Sequence, residues 1–185
     1  MKWVTRAYVH LDRVASPWLI VRFIDPQAQF EFVPWGEEAS RSTDAIGFAL
    51  PGATYGPHDA QGTTFAKLRR AHHLDDPALV TLEQVIGHGV EYVLHGFRPA
   101  ADDRLGQIAV GLLAIAEGLL LTHRDDNAII AQSLPFYDAL YAQFKVEHAV
   151  ETEGLVLPGH GDGRGPTSKI DFLRTVLDKA SGKTD

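Results

Sequence analysis

The sequence contains no cysteine, and this absence removes several kinds of chemistry at once. Disulfide bonds, thiolate metal sites and cysteine nucleophiles are all excluded, although the absence does not identify the cellular compartment. The N-terminal residues also lack the basic segment, apolar run and small-residue cleavage site of a secretory signal. We therefore expect a cytoplasmic protein.

Positive charge is also scarce. The chain has 24 acidic against 17 basic residues, a formal net charge of −7, and no long cluster of lysine and arginine. Proteins that bind nucleic acid without sequence preference need basic surfaces to neutralise the phosphate backbone. We therefore expect no direct nucleic-acid binding.

Long hydrophobic runs are missing as well. The most apolar stretch, residues 108–121, is shorter than the roughly 20 residues of a membrane span, and Glu117 and Gly118 interrupt it. Apolar residues recur there at helical spacing, so we expect a helix at the centre of a soluble core and no membrane partner. The stripe consists of Leu105, Ile108, Leu112, Ile115 and Leu119.

Several catalytic signatures are absent too. The chain has no P-loop, GxGxxG, HExxH or GxSxG motif, so nucleotide-binding and serine-hydrolase functions have no support. What remains is a chain of 185 residues with 45% hydrophobic residues, which fits one globular domain with a sizeable core.

The local pattern predicts an α+β fold, a single helix-rich domain with a small, mainly parallel sheet near the N-terminus. Strand 2–10, helix 17–24 and strand 30–34 form a plausible crossover unit, which suits parallel pairing, and residues 44–49 are a candidate third strand. Helices are then predicted over 63–73, 77–88, 103–122, 126–133 and 135–149. Pro135 should break or kink the last pair.

The C-terminal part has a different composition. We expect the main domain to cover 1–150, a glycine-rich linker 151–166 and a short amphipathic helix 167–181. Ile170, Leu173 and Leu177 lie on one side of that helix. It must dock either on its own domain or on a second subunit, and the second alternative would make a homodimer.

The most informative stretch runs from His10 to Asp25. If strand 2–10 continues to Asp12, His10 and Asp12 project to the same face, which is the spacing of a ligand pair. Ser16 followed by Pro17 is typical of an N-cap and a first helical residue, and the amides of such a first turn favour an anion. The simpler alternative is a His–Asp hydrogen bond beside an ordinary helix cap.

Basic residues accompany this predicted helix start. Arg13 and Arg22 would add positive charge, so we predict that Arg13, Ser16 and Arg22 bind a small anion. Three tryptophans, at positions 3, 18 and 35, also lie near the predicted pocket, although packing in the core is the ordinary role of tryptophan.

The same stretch carries a family resemblance. HLDRVASPWLIVRFIDP at 10–26 and FEFVP at 30–34 resemble the C-terminal domain of the ChrB-type chromate-resistance family. Further segments follow in the family's order over about residues 2–145. They are LPG at 50–52, YGPH at 55–58, Phe65, LDDPAL at 74–79, GLLAI at 111–115 and YDALY at 137–141. The resemblance implies a role in the bacterial chromate stress response, often as a regulator beside a chromate transporter.

Two departures from the family pattern qualify what the resemblance implies. Family members commonly carry cysteine where this chain has Ser16, and another near Thr63 or Thr64, so thiol chemistry does not carry over. The longer regulators carry an N-terminal segment ahead of this domain, whereas the signature here starts close to Met1, which argues against a direct transcriptional role.

A metal ion is a second candidate ligand. His10 and Asp12 are competent ligands for Zn²⁺, Mn²⁺ or Fe²⁺, and His58, in the loop after the third predicted strand, is the best third ligand. Three ligands would leave positions open for water or substrate. The alternative is that His58 is an ordinary exposed loop histidine.

Glu117 is the candidate acid or base, because its neighbours in sequence are apolar. It either points to solvent, pairs with an arginine such as Arg6 or Arg13, or reaches a metal or substrate pocket.

Three functions follow from these residues. The first is a sensor or accessory protein that binds a metal ion or small oxyanion. The second is a metal-dependent enzyme acting on a small substrate, with Glu117 as its acid or base. The third is an interaction module that docks through its C-terminal helix.

Overall fold

A three-stranded parallel sheet forms the N-terminal part of the molecule in the computed structural model, which describes residues 1–159 and 166–183. The strands are β1 (Lys2–Arg6), β2 (Gln29–Val33) and β3 (Ile46–Gly47), in the order β2-β1-β3. Trp3 of β1 lies opposite Phe30 on one side and Ile46 on the other. The predicted small parallel sheet is confirmed.

The chain leaves β1 earlier than predicted. The strand ends at Arg6, and Tyr8 adopts a left-handed conformation with φ of 59°. The amides of Tyr8 and Val9 then donate to the Asp126 carboxylate at 3.0 and 2.8 Å instead of to a neighbouring strand. Residues 7–10 therefore turn out of the sheet, and the predicted strand 2–10 is too long.

The first helix, α1 (Asp12–Leu19), begins five residues before the predicted start. Leu11 has φ of 49°, and its carbonyl accepts the amides of Val14 and Ala15, which closes the first turn. Pro17 consequently lies inside the helix rather than at its first position. A π-helical segment, Ile20–Ile24, continues α1.

Helices make up the rest of the domain, and a 3₁₀ turn spans Glu38–Ser40. They are α2 (Thr64–Ala71), α3 (Pro77–His95), α4 (Arg104–Thr122), α5 (Asp126–Thr152) and α6 (Pro166–Ala180). Side chains that accept hydrogen bonds from first-turn amides cap four of them: Thr63, Asp76, Asp103 and Asp125. Gly96 in the left-handed conformation ends α3.

Proline 135 does not break the last long helix. Helix α5 continues through it for 27 residues, so the prediction of two helices separated at Pro135 is wrong. Packing of α5 against α1, α3, α4 and α6 fixes the backbone on both sides of the proline, and these tertiary contacts outweigh the local cost of one missing hydrogen bond.

The core lies between the sheet and the helices, and α1 is its most deeply buried helix. Trp18 of α1 stacks on Phe65 of α2 with ring centroids 6.4 Å apart, and it also contacts Tyr137 of α5. The largest fully buried side chains include Trp3, Trp18, Tyr137, Phe48, Phe65 and Phe144. This arrangement confirms a single α+β domain.

Helix α4 is less central than predicted. Ala109, Leu112 and Leu113 are buried against the neighbouring helices, but Ile115 and Leu121 are exposed. The helix is apolar on nearly every side, while the described residues cover only one of its faces. By length and composition α4 could cross a membrane, with 28% of its most apolar window buried, and one such helix is weak support for a membrane span.

The C-terminal helix packs within the chain. Helix α6 contacts α5, where Val176 is buried and Lys179 pairs with Glu153 at 2.8 Å. Residues 160–165 of the predicted linker 151–166 lie outside the described residues, and α5 extends into its first two positions.

Candidate functional site

A cavity of about 240 Å³ opens at the carboxyl end of β1. It is bounded by the segments that follow the three strands and by the second half of α3. The lining residues are Arg6, His10, Leu11, Asp12, Arg13, Trp35, Ala49, Pro57, His58, Val90, Val93 and Leu94. The structure therefore brings His10, Asp12, Arg13 and His58 together, as the sequence analysis expected.

The position of this cavity follows from the sheet order. The chain passes from β1 to β2 on one side, and then to β3 on the other side of β1. The connections thus diverge around the carboxyl end of the central strand, where open α/β sheets form a ligand crevice.

Backbone strain is concentrated around the same cavity. Non-glycine residues with positive φ are uncommon, and three of the four in the described chain, Tyr8, Leu11 and Ala49, line the cavity or lie beside it. Conformations of this kind cost about 1–3 kcal/mol each and persist where the surrounding structure holds them, often at functional sites.

Glycine 89 allows one wall of the cavity to form. A Cβ atom at this position of α3 would lie 2.9 Å from a Leu11 methyl carbon, so a larger residue here would force the Leu11 side chain to shift. This contact holds the turn that carries His10, Asp12 and Arg13.

The Arg13 guanidinium is partly buried and has only neutral hydrogen-bond partners. It donates to the carbonyls of Ala7 and Tyr8 at 3.4 and 3.2 Å and to His10 Nδ1 at 3.2 Å. No carboxylate in the described part of the chain forms an ion pair with it. Burial, followed by the nearby Arg6 charge, lowers the pKa of Arg13, and the charges of Asp126 and Asp12 oppose this shift without forming an ion pair with the guanidinium.

Arg6 forms the opposite cationic wall. Its guanidinium lies 3.9 Å from the centroid of the Trp35 ring and 3.5 Å from Glu38. Its Nε atom is buried and has no hydrogen-bond partner among the described residues. Trp35 itself is 78% exposed, in contrast to Trp3 and Trp18, which are buried in the core as the sequence analysis expected for tryptophan.

Two histidines complete the polar lining. His10 Nδ1 lies 3.2 Å from an Arg13 nitrogen and 3.4 Å from the Tyr8 carbonyl oxygen; the Arg13 contact requires an unprotonated Nδ1, and the Tyr8 contact requires a protonated one. Burial, with a smaller contribution from Arg13, lowers the pKa of His10. His58 Nε2 lies 3.1 Å from Glu91, and its Nδ1 is buried without a partner.

Asp12 has a structural role that its local sequence did not indicate. Its carboxylate accepts the backbone amides of Thr64 and Phe65 at 2.8 and 3.0 Å, so it caps α2 from 52 positions away in sequence. Burial raises the pKa of Asp12, and these two amide hydrogen bonds oppose the rise. Since the chain turns at Leu11, His10 and Asp12 do not share a strand face, and that part of the prediction is wrong.

Two of the three predicted metal ligands, Asp12 and His58, already have other partners in this geometry. Both Asp12 oxygens already accept hydrogen bonds, and His58 is paired with Glu91. Within residues 1–159 and 166–183, no group of three or more histidine and acidic side chains is arranged to hold a metal ion.

Three other predicted site residues lie elsewhere. Ser16 is buried inside α1 and donates to Asp12 at 3.3 Å, so it is not an N-cap and no first-turn amides surround it. Arg22 donates two hydrogen bonds to Asp138, at 2.9 and 2.7 Å, outside the cavity lining. Glu117 is exposed on α4, which corresponds to the solvent alternative.

The sequence analysis gave Arg6 no ligand role and expected a core role for Trp35. Arg6 is the last residue of β1, and the carboxyl end of a central parallel strand is itself a signal for a ligand site. Trp35 follows β2 at the same edge. The contact between them depends on how the two loops approach each other, which local sequence does not reveal.

Comparison with known proteins finds sequence matches to one family. The family model described as ChrB, C-terminal domain, matches residues 3–144. The protein named Protein ChrB of Cupriavidus metallidurans is 34% identical over 145 residues, which cover 77% of this chain and 40% of that protein. The chain thus corresponds to less than half the length of this relative. No solved structure matches.

Proposed function

The chain belongs to the ChrB C-terminal domain family, and on this premise we propose that its cavity at the carboxyl end of β1 binds a small oxyanion such as chromate. Membership of the family associates the chain with chromate resistance. We propose further that this domain acts in chromate resistance as a sensor or accessory factor, and that the bound anion is its signal or cargo.

The observation that carries the proposal is that Arg13 is partly buried and has no ion pair with a carboxylate among the described residues. A guanidinium taken partly out of water normally has a carboxylate partner, because an uncompensated charge in such a place is costly. Among the described residues, the hydrogen-bond partners of Arg13 are only the carbonyls of Ala7 and Tyr8 and the His10 ring. An oxyanion in the cavity would supply the missing counter-charge and accept charge-assisted hydrogen bonds.

The neighbouring groups fit an anion as well. Arg6 adds a second cation, although Glu38 neutralises part of its charge. His10 can donate a ring proton and can gain a second proton when an anion is near. The negative charge of Asp12 is directed into the amides at the start of α2, where the helix dipole stabilises it.

An anion fits these residues better than a divalent cation. A cation would have to displace backbone amides from Asp12 and would lie beside two guanidinium groups. The anion requires no such rearrangement.

The proposal is tested by measuring sulfate and chromate binding to the purified chain by calorimetry. Replacement of Arg13 by glutamine should weaken both by at least about tenfold, since a hydrogen bond to a charged group contributes about 1.5–3 kcal/mol. Arg22→Gln is the matched control, because Arg22 pairs with Asp138 outside the cavity and its loss should leave affinity unchanged.

Two results would overturn the proposal. One is a wild-type protein that binds neither anion, and the other is an Arg13→Gln variant that folds normally and keeps its affinity. Thermal unfolding of both variants separates a binding defect from a folding defect.

A further inference from the structure

The proposed anion site has an apolar surface that a bare oxyanion would not use. Seven of the twelve lining residues are apolar or aromatic: Leu11, Trp35, Ala49, Pro57, Val90, Val93 and Leu94. Cavities that hold organic ligands combine this kind of apolar lining with a few polar groups that fix orientation. The few polar groups in this cavity are Arg6, His10, Asp12, Arg13 and His58.

Exposed apolar side chains lie at the mouth of the cavity. Trp35 is 78% exposed, Leu94 58% and Val93 43%. All three contribute to the lining, so they form a rim where the cavity meets solvent. Contiguous exposed apolar residues next to a charged pocket are unfavourable in water and are typical of a binding site.

We infer that the cavity takes a small organic anion, in which an oxyanion or carboxylate head is attached to a short apolar or aromatic body. This inference rests on the proposed anion site, because it uses Arg13 and Arg6 for the head. It adds that the body lies against the rim formed by Trp35, Val93 and Leu94.

The side chain of Trp35 is already held in position for such a contact. The Arg6 guanidinium lies over its ring at 3.9 Å and holds the indole beside the cavity despite its exposure. Arg6 is in turn held by Glu38 at 3.5 Å. An indole ordered in this way offers a flat apolar surface at little further cost in conformational entropy, which favours binding.

The test compares three ligands that carry the same kind of head at pH 8: inorganic phosphate, methylphosphonate and phenylphosphonate. Affinity should rise in that order, and phenylphosphonate should bind at least about tenfold more tightly than inorganic phosphate, the lower range for an apolar group placed in an apolar pocket. Calorimetry measures all three on the full chain.

Two leucine variants locate the preference. Leu94→Ser should weaken phenylphosphonate about threefold to tenfold and leave inorganic phosphate unchanged, because only the organic body contacts the rim. Leu121→Ser is the matched control, since Leu121 is an 82% exposed leucine outside the cavity lining, and it should change neither affinity.

The possible failures are distinguishable. Equal affinity for the three ligands, with a loss in Arg13→Gln, would overturn the organic-anion inference and keep the oxyanion site. Phenylphosphonate binding that is unchanged in Arg13→Gln or in Leu94→Ser would also overturn it, because the ligand would then bind elsewhere. If the wild type binds sulfate or chromate but none of these three ligands, only the organic-anion inference fails; if it binds none of the five, both proposals fail.

Discussion

The two ends of the central strand β1 differ in how their polar groups are satisfied. At the amino end, Asp25 accepts from the Met1 ammonium at 2.6 Å and from the Trp3 indole at 3.1 Å, and Lys2 pairs with Asp44 at 3.0 Å. At the carboxyl end, the Nε of Arg6 and the Nδ1 of His58 are buried without partners, and Arg13 has no ion pair among the described residues.

This difference separates a structural cluster from a candidate binding site in the same sheet. Buried polar groups normally have hydrogen-bond partners, so a concentration of exceptions needs an explanation. All three buried side-chain atoms without partners among the described residues belong to Thr5, Arg6 and His58, at the carboxyl end of β1 or in the cavity it opens into. The positive φ values of Leu11 and Ala49 occur in the same place.

Asp12 gives the largest expected effect on stability, because it is a buried carboxylate near the carboxyl end of β1 and both of its oxygens accept backbone amides. Asp12→Ala leaves the buried amides of Thr64 and Phe65 without acceptors and should lower the free energy of unfolding by about 1–3 kcal/mol. Asp12→Asn keeps one acceptor oxygen and should cost less. Urea denaturation measures both, with exposed Asp102→Ala as a control; a fully stable Asp12→Ala would refute the capping role.

Asp25 tests the amino end of β1 through the pH dependence of protein stability. The hydrogen bond from the Met1 ammonium, with that of the Trp3 indole, holds the pKa of Asp25 below its ordinary 3.8. A depressed carboxyl pKa contributes stability that is present above pH 3.8 and is lost as the pH falls through the lower folded value. The stability difference between wild type and Asp25→Asn should therefore be largest at neutral pH and shrink in acid.

Unfolding at pH 7 and near pH 3 measures this difference. Exposed Asp102→Asn serves as the control and should stay close to wild type at both pH values. Anion affinity should be unaffected in Asp25→Asn at neutral pH, since the two ends of β1 act independently. A loss of anion binding in this variant would remove the distinction between them.

His10 gives a smaller effect at the carboxyl end of β1, where it should make anion affinity depend on pH. Burial, then the charge of Arg13, lowers its pKa below the ordinary 6.5, and the backbone contact with Tyr8, followed by the charge of Glu117, opposes this shift. A bound anion favours the protonated ring, so sulfate affinity should rise as the pH falls below 6.5. The gain cannot exceed about tenfold per pH unit, the limit for one proton.

The His10→Gln variant tests whether His10 is the group that takes up this proton. Glutamine keeps a polar side chain but does not titrate, so the pH dependence of sulfate binding between pH 8 and pH 5 should flatten. Asp12 and His58 also line the cavity, and both are unchanged in the variant. An equally steep dependence in His10→Gln would assign the proton to another group.

Ser16 should give the smallest effect. Its hydroxyl makes one long hydrogen bond to Asp12, and alanine is the better residue inside a helix, so the two terms of Ser16→Ala nearly cancel. The free energy of unfolding should change by no more than about 0.5 kcal/mol in either direction, the usual range where no cap or core packing is lost. Chemical denaturation checks it; a loss near 2 kcal/mol would contradict this and show that the Ser16–Asp12 hydrogen bond stabilises the fold more strongly than its length indicates.

The sequence by itself determined the secondary-structure content and the neighbourhood of the site. Alternation of β-forming residues before His10 and turn residues around Pro51 were enough to predict a small parallel sheet. Parallel strands end at one edge, so segments that follow them, including those with Arg13 and His58, must come close together. This is general geometry, and it depends little on any one side chain.

Only the tertiary structure decided what each polar residue does. Asp12 caps α2 through partners 52 and 53 positions away, and Arg22 binds Asp138 over 116 positions. Such pairs form when helices dock, so local patterns such as Ser16-Pro17 cannot predict them. Arg6 and Trp35 meet for the same reason. Docking free energy, summed over a whole interface, outweighs the fraction of a kcal/mol per residue by which local propensities differ.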